Sequence, residues 1–195
     1  MNAQTILSLM ARRQVDRFLR AKKPIRHRLG NNVDMFSFQE RLLGTLILSP
    51  SMGPILYEAG RRVALEATRE AVTTVSRLPG YRRFVDAEGL EEARVSTEFT
   101  LLQLVYKSTG TGILQLSQYE KDKLMVFQVE ECAECFALPD IGKSVCYYTA
   151  GDLAGSMEAI LGRRAGFVES KCLAEGDQLC EYRSNLKMEA EEGER

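Results

Sequence analysis

Apolar residues recur at helical spacing in five stretches of the chain and alternate in four shorter ones. Residues 3–21 place Leu7, Ala11, Val15 and Phe18 on one face and Arg13, Arg17 and Arg20 on another, an amphipathic N-terminal helix. A second, short helix is expected within residues 33–51, with Phe36, Leu42, Leu43, Leu46 and Ile47 turned inward. Two prolines and a glycine in residues 49–54 break that pattern. A long helix then runs from about Gly53 to Arg77. Its expected core face is Leu56, Ala59, Val63, Ala67 and Ala71, and Glu58, Arg61, Arg62 and Arg69 suit solvent. Residues 96–108 predict another helix, closed by Thr-Gly-Thr-Gly at 109–112. Residues 113–118 and 124–130 alternate as a hairpin, and residues 166–174 and 178–186 form a second around Glu175-Gly176-Asp177. Between the hairpins lies a helix with Cys146, Ala150, Leu153, Ala154, Met157, Ile160 and Leu161 on one face. Ser144 is its candidate N-cap and Gly162 its stop. The two hairpins give a four-stranded antiparallel sheet packed with helices, an α+β layering.

Composition adds limits. The chain has 195 residues, 45% hydrophobic and 27% charged, enough for one domain with a real core. Its net charge of −1 gives no reason to expect nucleic acid as a partner. No apolar run reaches the ~18 residues of a membrane span, and no signal peptide is expected, so the cytoplasm is the expected compartment. Eight Lys or Arg and one Asp lie between Arg12 and Arg28. They read either as a solvated helix face or as an arm that docks on an anionic membrane surface or an acidic partner. The lone histidine, His27, falls in this arm. The expected organisation is a basic arm over residues 1–30, a folded domain over 31–186 and an acidic tail over 187–195.

The chemistry concentrates between Cys146 and Cys180. Pairing symmetric about Gly176 sets Cys172 opposite Cys180, close enough for two thiolates to share a tetrahedral metal. Cys146 begins a helix, where the dipole favours a thiolate. Glu169 lies three residues before Cys172 and can reach the same ion only if the strand is bulged or begins later. Lys143 and Lys171 are near in sequence and could offset the negative charge. A cross-strand disulfide or ordinary buried thiols are the alternatives; five cysteines, an odd number, suit a reducing compartment. Cys132-x-x-Cys135 has the spacing of half a zinc site, of a redox pair, or of a plain packed loop. No catalytic constellation and no nicotinamide, flavin or Walker fingerprint emerges.

The runs CYYTAGDLAGSMEAILGRR and VESKCLAEGDQLCEYR resemble the C-terminal half of the 4-vinyl reductase domain family, most clearly over residues 110–186. That family includes a protein linked to bacteriochlorophyll synthesis, archaeal stand-alone proteins and sensor domains of aromatic-responsive activators, with a fold similar to TRAPP complex subunits. Its phenol-sensing members hold zinc by Cys, Glu, Cys and Cys at the spacing found here, so the resemblance implies Cys146, Glu169, Cys172 and Cys180 as ligands of a structural zinc. It implies a non-enzymatic module that binds a small hydrophobic ligand, a tetrapyrrole or its precursor or an aromatic compound. Such a module would serve in sensing or in the biogenesis of pigment or photosynthetic complexes. Phe99, Tyr106, Met125, Phe127, Tyr147 and Tyr148 are the candidate pocket residues, with ordinary core packing as the alternative. The phenol sensors use a Trp and a His in their pocket; this chain has no Trp, which argues against phenol. A homodimer is expected. A TRAPP-like scaffold and a tetrapyrrole vinyl reductase are the competing readings.

Overall fold

The computed structural model describes residues 35–76, 90–120, 123–138 and 140–185. The expected N-terminal helix, the basic arm with His27, the loop after the long helix and the acidic tail lie outside the described residues. The elements in order are α1 (Met35–Leu48), α2 (Met52–Ser76), α3 (Leu90–Thr109), β1 (Ile113–Glu120), β2 (Leu124–Glu130), α4 (Tyr147–Leu161), β3 (Val168–Lys171), a 3-10 turn (Leu173–Glu175) and β4 (Cys180–Asn185).

The four strands form one antiparallel sheet in the order β1-β2-β4-β3, as the alternation predicts. Each sequence-adjacent pair is joined locally, and β2 meets β4 in the centre. Helices complete the α+β fold. The apolar side of β2, with Met125, Phe127 and Val129, is buried with Leu153 and Met157 of α4 and Phe99 and Tyr106 of α3 in one core. Phe127 bridges Phe99 and Phe167, with ring centroids 5.3 and 5.2 Å apart. Stacked and tilted aromatic pairs of this kind add to simple burial.

Several expected faces differ from those observed. Leu46 is buried, but Ile47 is 61% exposed, and Gln39 takes an inward position on α1. On α2 the buried face is Gly53, Gly60 and Ala64, with Leu56 and Tyr57 packed beside it; Ala59, Val63, Ala67 and Ala71 are exposed. Hydropathy misplaces this face because residue size decides it. A Cβ on Gly151 of α4 would lie 1.9 Å from the Tyr57 carbonyl oxygen, and one on Gly155 2.0 Å from that of Arg61. A Cβ on Gly60 would lie 2.4 Å from the Tyr148 carbonyl. The helices approach backbone to backbone, and small residues line the seam. Arg61 belongs to this seam rather than to solvent. Its guanidinium donates to Glu158 of α4 at 2.6 Å and to Glu58 at 2.9 Å.

Candidate metal centre

Four elements deliver six potential ligands to one buried point. The loop after β2 brings Cys132 and Cys135, the start of α4 brings Cys146, the end of the β3 segment brings Glu169 and Cys172, and the first residue of β4 is Cys180. All five cysteines are free and fully buried.

The helix start departs from expectation. Cys146, not Ser144, is the N-cap residue, and it makes no side-chain cap. Two carboxylates from elsewhere serve instead. Glu169 Oε2 accepts from the Cys146 N–H at 3.1 Å, and Glu134 Oε2 accepts from the Thr149 N–H at 2.7 Å. Free first-turn N–H groups and the positive dipole end favour anions there. Gly162 closes the helix as expected, in the left-handed region at φ 71°.

The second hairpin is shorter than its alternation suggests. The strands end at Lys171 and resume at Cys180, because a 3-10 turn intervenes and Asp177 accepts from the Cys172 N–H at 2.9 Å. The register nevertheless follows the symmetric pairing near the turn, with Lys171 opposite Glu181. It shifts between Glu169 and Lys171. That bulge meets the condition under which Glu169 and Cys172 can face one ion. Lys171 does not offset the cluster's charge; its ammonium reaches Glu181 at 3.2 Å, and Lys143 is exposed.

The ligand atoms of Cys146, Glu169, Cys172 and Cys180 all lie within 4.8 Å of one another, and so do the sulfurs of Cys132, Cys135, Cys146 and Cys180. Sulfur–sulfur separations are 3.8 Å for Cys132–Cys146 and Cys146–Cys172, 3.9 Å for Cys146–Cys180 and 3.3 Å for Cys135–Cys180. A tetrahedron with Zn–S near ~2.3 Å has an edge of about 3.8 Å. A disulfide needs about 2.05 Å. Glu169 Oε1 is buried and has no hydrogen-bond partner, facing the thiols rather than a donor group. A divalent ion is the partner such an oxygen lacks. The residues therefore fit a tetrahedral ion.

Electrostatics point the same way. The thiols share protons among themselves. Hydrogen bonds from Cys135 and then Cys146 hold Cys132 and Cys172 below the ordinary thiol range. Contact with Cys132 first pushes Cys135, Cys146 and Cys180 above it. Burial, then the charge of Cys172, pushes Glu169 up to about 9. Burial, then Cys132, pushes Glu134 up to about 8. So many acidic groups cannot all ionise together without a cation between them.

Residues outside the sequence-based set support the centre. Gln39 Nε2 donates to the carbonyls of Ala133 at 3.0 Å and Phe136 at 2.9 Å, clamping the Cys132–Cys135 loop from α1. Glu131 and Ala137 bracket that loop at positive φ, 51° and 62°. Neither Gln39 nor Glu134 carries a local signal; their roles exist only once the chain has folded. The pocket candidates separate. Phe99, Tyr106, Met125 and Phe127 are buried, whereas Tyr147 is 38% exposed and Tyr148 half-buried. Tyr106 donates to Asp152 at 2.5 Å.

Residues 125–185 match the family model of the 4-vinyl reductase domain. The chain belongs to that family. It is the one indicated by the two sequence runs around Cys146 and Cys172, and the matched segment spans β2, α4, β3 and β4 with the whole metal-competent cluster. A curated relative, the uncharacterized protein MJ0150 of Methanocaldococcus jannaschii, is 28% identical over 159 residues, 82% of this chain and 79% of that protein. Among solved structures, a vinyl-4-reductase family protein from the same organism aligns with a TM-score of 0.49 at 14% identity, covering 93% of this chain and 92% of that one. The phenol-responsive sensory domain of the transcription activator PoxR, solved with phenol, aligns at 0.49 and 15% identity over 76% of this chain and 71% of that one. A trafficking protein particle complex subunit 3 from Naegleria fowleri, covalently bound to palmitic acid, aligns at 0.46 and 14% identity over 92% of both chains. Among the described residues no helix is long and apolar enough to cross a membrane.

Proposed function

We propose that this 4-vinyl reductase domain is a non-enzymatic module that binds a small hydrophobic molecule, on a platform fastened by one structural zinc at Cys146, Glu169, Cys172 and Cys180. The observation that carries the zinc is the buried, unpartnered Oε1 of Glu169 beside three thiols. Four protein ligands leave a zinc ion no open position, the arrangement of a structural rather than a hydrolytic site. The ion would supply cohesion among α4, β3 and β4 and would neutralise the thiolates. The ligand reading is supported by the family match and by the aromatic layer of Phe99, Phe127 and Phe167 between α3, the sheet and the segment after α4. Tyr106 and Asp152 provide a polar pair in the same apolar surroundings, the mixture by which pockets orient small ligands. Candidate ligands are tetrapyrroles, their precursors and other aromatic compounds.

Titration of the zinc-loaded protein with a porphyrin and a panel of hydrophobic aromatics tests the reading. Saturable binding accompanied by a rise in melting temperature is expected. Absence of saturation with every compound overturns the ligand role and leaves the zinc untouched.

A further inference from the structure

Cys132 and Cys135 are not needed for the proposed zinc, yet the fold brings both to it. Their sulfurs complete a second four-ligand set with Cys146 and Cys180. We propose that the cluster holds two divalent ions, the second at Cys132, Cys135, Cys146 and Cys180, with Cys146 and Cys180 bridging both. This rests on the zinc reading above and extends it.

Ligand number is the first argument. Two four-coordinate ions that share an edge need six donors: two for each ion alone and two in common. The buried cluster contains five thiols and one carboxylate, and the two sets overlap in two thiols, Cys146 and Cys180. Thiolate-bridged zinc pairs built on six cysteines are an established arrangement in proteins. Here Glu169 stands in for the sixth sulfur.

Spacing is the second. Cys146 Sγ lies 3.8 Å from Cys132 on one side and 3.8 Å from Cys172 on the other, and the prospective shared edge to Cys180 is 3.9 Å. These match the ~3.8 Å edge of a zinc–thiolate tetrahedron. The 3.3 Å edge between Cys135 and Cys180 must open by about half an ångström when an ion enters. Inorganic sulfide between the cysteines would push them much further apart, so the spacing selects a thiolate-bridged pair over an iron–sulfur cluster.

The third argument is how the loop is held. Gln39 binds the carbonyls of Ala133 and Phe136, and Ala133 N–H donates to the Thr111 carbonyl at 2.9 Å. The Phe136 and Cys135 N–H groups both donate to the Cys132 carbonyl, at 2.7 and 3.1 Å. The loop is thus anchored to α1 and to the start of β1 with both sulfurs directed inward. The second ion would displace the protons that Cys132 and Cys135 carry when only one ion is bound, releasing up to two protons to solvent.

The experiment is zinc content per chain, measured on full-length reduced protein after zinc loading and dialysis, for the parent, Cys135→Ser, Cys172→Ser and Glu169→Gln. Two zinc ions in the parent and one in Cys135→Ser are expected. One zinc in the parent, kept in Cys135→Ser and lost in Cys172→Ser, overturns the second ion while sparing the first. One zinc kept in Cys172→Ser and Glu169→Gln but lost in Cys135→Ser overturns the pair and moves the single ion to the other set. No zinc in the parent overturns both readings. If a variant fails to fold, cadmium-113 NMR of the cadmium-loaded parent decides: two mutually coupled resonances support the bridged pair, and a single resonance refutes it.

Discussion

Asp152 pairs with Tyr106 in the interior, and burial lifts its carboxyl to about 6 from an ordinary 3.8, partly countered by the Tyr106 hydrogen bond. A carboxyl raised in the folded state contributes stability below its unfolded pKa, and that contribution is lost as pH rises through the folded value. Ionising Asp152 therefore costs the fold about 3 kcal/mol by neutral pH. In Asp152→Asn this dependence is absent. Denaturation of parent and variant from pH 4 to 7 should show the parent losing ground to the variant across that range. A difference independent of pH would place the Asp152 proton elsewhere. Glu134 shows the same cost at a different site. Its carboxylate is kept where burial opposes it because Oε2 caps Thr149 at the head of α4. Cys146, Glu169, Cys172 and Cys180 are legible from their spacing and the family it resembles. The polar residues around them are not, because a hydrogen bond between residues 94 positions apart, as from Gln39 to Ala133, leaves no periodic trace.

At the scale of elements, α2 and α4 pack through glycines, and that contact is specified by what is missing from the side chains. Gly151→Ala inserts a methyl group 1.9 Å from a backbone oxygen that cannot rotate away. The helices must part, at a cost of about 2–3 kcal/mol or more. Gly44 on α1 has nothing within 4 Å of its prospective Cβ, so Gly44→Ala should stabilise by about 0.5–1 kcal/mol through helix propensity. Urea unfolding of the two variants should give opposite signs. Equal effects would contradict the packing described for the seam. Periodicity locates both helices but turns the α2 face the wrong way, since Ala59, Val63, Ala67 and Ala71 are more apolar in pattern than the face actually buried. Gly60 and Ala64 win because close backbone approach recovers dispersion contacts along the whole seam.

For the whole molecule, the cysteine cluster ties together segments that the sheet alone joins only at its edges. The loop after β2, the head of α4 and both arms of the second hairpin converge on it. Zinc binding to such a set is folding free energy, because the unfolded chain has no comparable site. Removal of zinc with a strong chelator, or Cys172→Ser, should lower the melting temperature by about 10 °C, the equivalent of roughly 3–5 kcal/mol for a chain of this length. Calorimetry with and without added zinc checks this. A chelated protein that melts with the parent would remove the structural role of the ion.

The sequence by itself determines the order of helices and strands, the antiparallel sheet, the family and the four metal-competent residues from Cys146 to Cys180. These are written in local periodicity, turn residues and fixed spacings, which act before the chain is compact. Only the tertiary structure decides that Cys132 and Cys135 join the same cluster, that α2 turns its small residues inward, and that Glu134 and Gln39 hold the surroundings in place. Those outcomes depend on distances between segments far apart in the chain, set by how closely two backbones can approach and by which buried polar group finds a partner.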